Sequence, residues 1–126
     1  MLVVDLKDPR PLYLQVVDGI KAAIACGDLL PGSTLPSVRD LAETLAINPN
    51  TIAHAYRELQ ASGIIHVRQG KGAWVAAPPV QAEPEQIASL RRRVQLLLAD
   101  AYHQGVSARQ VAQFVQDEIS RQEGGQ

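Results

Sequence analysis

Ser37-Val-Arg-Asp-Leu-Ala-Glu-Thr-Leu-Ala-Ile47, running directly into Asn48-Pro-Asn-Thr-Ile-Ala-His-Ala-Tyr-Arg-Glu-Leu-Gln-Ala-Ser62-Gly63, decides the fold. Ser37 opens a helix: its hydroxyl can accept from the amide of Asp40, and Asp40 answers from the first turn, much as in a capping box. Val38, Leu41, Ala42 and Leu45 recur at helical spacing and give that helix one apolar face. Ala46-Ile47 breaks it. Asn48 and Pro49 then supply an N-cap and a first-turn proline together, and Ile52, Ala55, Tyr56 and Leu59 form the inner face of a second helix. Ser62-Gly63 ends it. Two helices with so short a break must cross steeply, which is a helix-turn-helix.

Reading outward, Ile64-Ile-His-Val-Arg68 is β-branched and partly alternating, and Ala73-Trp-Val-Ala76 reads as a returning strand. Gln69-Gly-Lys-Gly72 between them is a turn in which both glycines can take positive φ. Two short strands after a helix-turn-helix make a wing. Upstream, Leu12, Val16, Ile20, Ala23 and Ile24 predict a first helix over about 11–26, opened by Pro11 and closed by Gly27. Leu30-Pro-Gly32 is a turn.

Downstream, Ala77 to Glu83 with Pro78, Pro79 and Pro84 reads as a stiff linker over 77–84. Ile87, Leu90, Val94, Leu97 and Ala101 then alternate three- and four-residue steps, the seam of a packing helix that stops at Gly105. Ser107 with Gln110 makes a capping box for a last helix showing Val111, Val115 and Ile119 on one face, with Phe114 beside them. The tail from Gln122 to Gln126 is expected to fray. Two such helices bury little alone. A second copy would complete a four-helix bundle, whereas folding back on the N-terminal part of the same chain is the alternative. The expected architecture is mainly α with a small β-wing: a winged helix-turn-helix over 1–76, the linker, and a helical dimerisation segment over 85–126.

Composition narrows the function. Apolar residues make up 46% of the 126, enough for a packed core, and aromatics only 4%, so Leu, Ile, Val and Ala must build it. Cys26 stands alone, which rules out an internal disulfide and a thiolate metal cage and reads as a small buried residue of a reduced, cytoplasmic protein. No apolar run is long enough to span a bilayer, and Met1-Leu-Val-Val-Asp-Leu6 lacks the pattern of a signal peptide. The formal net charge of −1 argues against a generic polyanion binder. The local balance differs: from Asn48 to Ala76 the bases are Arg57, Arg68 and Lys71 and the only acid is Glu58.

Pro11-Leu-Tyr-Leu-Gln15, Leu30-Pro-Gly32, Leu35-Pro-Ser-Val-Arg-Asp-Leu-Ala42, Asn48-Pro-Asn-Thr51, Ala55-Tyr-Arg-Glu-Leu59 and Gly70-Lys-Gly72 occur in that order. This string resembles the DNA-binding head of the GntR family of bacterial regulators over roughly residues 10–76. The remainder is similar to the YtrA subfamily, whose head is followed by a short two-helix dimerisation segment. The resemblance implies a sequence-specific transcription regulator, a repressor by default, that binds a palindromic site on double-stranded DNA as a homodimer without a cofactor.

A recognition helix sets its N-terminal residues against base edges. Here these are Asn50, Thr51 and, one turn on, His54, with Arg57 following on the same outward face. Asn can pair bidentately with adenine, and Thr can touch a thymine methyl. Ser37 and Arg39 resemble family positions near the DNA backbone, and Arg68, Gln69, Gly70 and Lys71 resemble the wing tip at the minor groove. The family often carries arginine where this chain has Pro49 and sometimes another where it has Ala53, departures that weaken the transfer of base preference and leave phosphate binding largely intact. Arg91, Arg92 and Arg93 read as a solvated helix face.

Other classes fit less well. His54, His66 and His103 lack zinc-ligand spacing, and Gly70-Lys-Gly72 lacks the longer pattern of a phosphate-cradling loop, so no catalytic or metal residue is expected. The second reading is a winged-helix protein-interaction module. A ligand acting between head and bundle is a third, and the sequence names no effector.

Overall fold

The computed structural model describes residues 4–124. In chain order the elements are α1 (Leu12–Ala25), β1 (Thr34–Leu35), α2 (Val38–Leu45), α3 (Pro49–Ala61), β2 (Ile65–Arg68), β3 (Gly72–Val75), α4 (Pro84–His103) and α5 (Ala108–Gly124). They fall into two compact units, one running through Pro78 and the other over Pro79–Gly124.

In the first unit α1 and α2 both pack on α3, and a three-stranded antiparallel sheet of order β1-β3-β2 closes the core. Val16, Ile52, Leu59, Ile65 and Val75 are its fully buried centre. Both helix starts carry the expected cap, although the return bond from Asp40 to the Ser37 amide is not formed among the described residues. Ser37 Oγ accepts from the Asp40 amide at 3.0 Å, and Asn48 Oδ1 accepts from the Asn50 amide at 2.8 Å, with Pro49 in the first turn of α3. Between them Ala46 takes a left-handed conformation, φ 58° and ψ 45°, which turns the chain sharply from α2 into α3. Tyr56 faces inward, and its hydroxyl donates to the Pro36 carbonyl at 2.7 Å.

The wing is larger than the expected pair of strands. Thr34 and Leu35 join it as an outer strand, opposite Trp74 and Ala73, and the Gly32 and Val75 amides extend the pairing through the Val75 and Ser33 carbonyls at 2.8 and 2.9 Å. β2 pairs β3 from Ile65 opposite Val75 to Arg68 opposite Gly72, one residue earlier at the β3 end than the sequence reading. Cys26 is also not buried as expected. It caps the end of α1 and is half-buried, with Sγ 3.6 Å from the Ala23 carbonyl and 3.4 Å from Asp28 Oδ2.

In the second unit α4 begins at Pro84, a residue earlier than the linker reading allows, because proline fits the first helical turn. The turn into α5 carries Gly105 at φ 81°, and the Ser107–Gln110 capping box forms in both directions, at 2.9 and 3.1 Å. Ala101 and Val111 are buried where α4 and α5 meet. Ile87, Leu90, Val94, Leu97, Phe114, Val115 and Ile119 remain exposed on this unit. The expected fraying at Gln122 is not seen: α5 continues to Gly124, and Gly125–Gln126 lie outside the described residues. No helix among the described residues is long and apolar enough to cross a membrane.

Candidate nucleic-acid interface

The site is built on α3. At about 100° per residue, Asn50, His54 and Arg57 fall within roughly 60° of one another on the helix surface. Ile52, Ala55, Tyr56 and Leu59 occupy the opposite side and are buried. Burial of one face therefore fixes which residues the other presents. Asn50 and Arg57 are exposed, Thr51 and His54 half-exposed. The backbone supports this division of labour. Asn48 spends its side chain on the cap, so the Asn50 amide is satisfied while the Asn50 side chain is left for an external partner.

Thr51 and His54 do not stand free in solvent. With Asn50 they line one side of an open groove whose other side is Pro11, Leu12 and Tyr13 at the start of α1. Tyr13 stacks on His54, ring centroids 3.8 Å apart and planes inclined by 15°. His54 Nε2 also lies 3.8 Å from Glu58 Oε1, one turn along α3. The sequence reading missed Tyr13. Nothing in the spacing of α1 pairs it with a residue of α3 so far along the chain.

Ser37 and Arg39 sit at the start of α2. Ser37 is exposed and its Oγ accepts from the Asp40 amide, which leaves its hydroxyl hydrogen available to donate to a phosphate oxygen; Arg39 is exposed. The wing tip folds as a tight turn closed by the Lys71 amide donating to the Arg68 carbonyl at 2.9 Å. Gly70 at φ 80° and Gly72 at φ 89° meet a conformation that L side chains rarely adopt. Arg68, Gln69 and Lys71 are all exposed around it. A separate depression on the sheet, lined by Gln60, His66, Val67, Arg68 and Trp74, was not foreseen either.

The segment before α1 is held down by Gln15, a buried polar residue. Its Oε1 accepts from the Asp5 amide at 2.8 Å and its Nε2 donates to the Asp5 carbonyl at 3.0 Å. Arg10 bridges Asp8 and Asp18 at 3.0 and 2.6 Å, and its guanidinium holds the Asp8 carboxyl below the usual carboxylate range. Among the described residues no cluster of three or more His, Cys, Asp or Glu is arranged to hold a metal ion.

Comparison with known proteins agrees with this geometry. The sequence profile described as "Bacterial regulatory proteins, gntR family" matches residues 12–75, from the start of α1 to the end of β3. The HTH-type transcriptional repressor YtrA of Bacillus subtilis (strain 168) is 29% identical over 126 residues, covering 99% of this chain and 97% of that protein. Among solved structures, a transcriptional antiterminator from Listeria monocytogenes EGD-e superposes with a TM-score of 0.82 at 30% identity, over 95% of this chain and 90% of that one. The DNA-binding domain of AraR in complex with operator ORX1 superposes with a TM-score of 0.55 at 30% identity, over 60% of this chain and 96% of that one.

Proposed function

The chain belongs to the GntR family of bacterial regulatory proteins, and from that membership we propose that it is a homodimeric repressor that reads a palindromic operator through α3. Its winged helix-turn-helix is the DNA-binding part, over 1–76. The observation that carries the reading is the outward face of α3: Asn50, His54 and Arg57 share it, opposite a buried face, with Asn50 and Arg57 exposed and the edge beside Tyr13 forming an open groove. In this reading Asn50, Thr51 and His54 meet base edges, Arg57 reaches a base or phosphate, Ser37 and Arg39 hold the backbone, and Arg68, Gln69, Gly70 and Lys71 follow the minor groove. Residues 77–84 link the head to a dimerisation segment over 85–126, which joins a second copy through Ile87, Leu90, Val94, Leu97, Val115 and Ile119, with Val111 supporting the face from beneath.

Two likenesses support the finer parts. The Bacillus relative matched over nearly the whole chain is named a repressor, and AraR was solved on its operator. A dimer would set its two recognition helices about 34 Å apart or a multiple of it.

Sedimentation of the pure protein, with and without a random duplex at low and moderate salt, tests the proposal. The expected result is a dimer that binds DNA at low salt and releases it as salt rises, because phosphate contacts release counterions. A monomer, or indifference to DNA at every salt, would overturn it and favour a protein partner for the wing.

A further inference from the structure

Tyr13 belongs to α1, outside both helices of the helix-turn-helix, yet its ring lies flat on His54 of α3. It is half-buried and packed against the core, so the fold itself anchors it. A histidine on a free helix surface would sample several rotamers, each directing its ring nitrogens differently. Here one face of the imidazole is covered at 3.8 Å, and its Nε2 lies 3.8 Å from Glu58 Oε1. The same groove holds Asn50 and Thr51 beside the stack.

We propose that Tyr13 is a positioning residue for base discrimination: by clamping the His54 ring against α1 before DNA arrives, it fixes where the imidazole edge meets the groove. This rests on α3 being the recognition helix. A preorganised reader loses less side-chain freedom on binding, and it penalises a wrong base that a mobile ring could accommodate. Tyr13 thus acts through His54, and its effect falls on the ratio of operator to random-DNA affinity.

The test is a double-mutant cycle on the full chain, using an operator selected from a randomised duplex pool and an unrelated random duplex. Tyr13→Leu keeps apolar packing and removes the stack; Tyr13→Phe keeps the stack. Tyr13→Phe should stay within about twofold of the parent on both duplexes. Tyr13→Leu should weaken operator binding by about three- to tenfold, the scale of one aromatic pair, with no matching loss on random DNA. In a His54→Ala background the same change should do nothing further. In the DNA-free protein, Tyr13→Leu should move the His54 ring proton signals downfield as the ring-current shielding is lost. Equal losses on both duplexes, an undiminished effect in the His54→Ala background, or unmoved imidazole signals would overturn the proposal. Should Tyr13→Leu fail to fold, Tyr13→Met takes its place in the same cycle, and an unchanged operator-to-random ratio in His54→Ala overturns the clamp by itself. The two readings fail differently. A parent protein that binds no duplex defeats the regulator reading and the clamp together, whereas a discriminating parent with an additive cycle defeats only the clamp.

Discussion

At the scale of the single residue, Tyr56 is buried on the inner face of α3 and ties that helix to the segment before α2. Its spacing with Ile52 and Leu59 turns it inward, but its partner, the Pro36 carbonyl, comes from the segment before α2 and has no local signature. Burial pushes the Tyr56 phenol up to about 12, against about 10 for an unfolded tyrosine. The folded state therefore holds this proton more tightly than the unfolded chain. The resulting stabilisation is complete below about pH 10 and is lost as pH climbs towards about 12. Denaturant midpoints should fall across that window, and the fall should be shallower in Tyr56→Phe. At neutral pH Tyr56→Phe should cost about 0.5–1.5 kcal/mol by removing the hydrogen bond to the Pro36 carbonyl. A second pair of substitutions separates affinity from reading. Arg39→Ala should weaken binding to operator and random duplex alike, with a shallower salt dependence. Asn50→Ala should cost roughly 1–3 kcal/mol on the operator and little on random DNA. Equal losses on both duplexes for Asn50→Ala would remove it as a base reader.

Among the elements, those with strong local signals were foreseen and those made by tertiary pairing were not. Ser37, Asn48 and Ser107 each cap a helix start as their neighbours imply, because a cap is a bond within three residues. The strand Thr34–Leu35 is two residues long and exists only because β3 offers a free edge, so no periodicity announces it. The turn between α2 and α3 was recognised as a break, but the sequence places alanine rather than glycine at its left-handed position. That residue is strained by roughly 1 kcal/mol. Ala46→Gly should therefore raise stability by up to about 1 kcal/mol, less what glycine loses in the unfolded chain. Ala46→Val should lower it, since a β-branched residue tolerates positive φ worst. Chemical denaturation of the two variants checks this, and the reverse order would mean the turn relaxes to another conformation. Ser37→Ala should cost about 1 kcal/mol by the same measurement, through the lost cap on α2.

For the molecule as a whole, the α4–α5 unit poses a question of area. A hairpin of two helices buries Ala101 and Val111 and leaves nine larger apolar side chains exposed, Leu96 and Tyr102 among them. Ile87, Leu90, Val94 and Leu97 are each about half exposed, at 49%, 56%, 54% and 50%. Their three- and four-residue spacing puts them in one stripe, and a stripe of that kind is stable when another helix covers it. A second copy offers the identical stripe, which suits an isologous interface. Leu90→Glu combined with Val94→Glu places two charges in that stripe. If the parent dimerises as proposed, such a variant should sediment as a monomer at the same concentration, with its helical circular dichroism largely retained. Operator affinity should then drop by at least a hundredfold, because engagement of the second half-site is no longer intramolecular. Binding of each head to random DNA at low salt should persist. Val111→Ala makes the informative contrast. Val111 is 7% exposed and already covered within the hairpin, so its truncation should lower thermal stability before it alters association at a given concentration. If the double glutamate variant remained a dimer with full operator affinity, the stripe would have to face something other than a second copy, and two-half-site recognition would need a different joint.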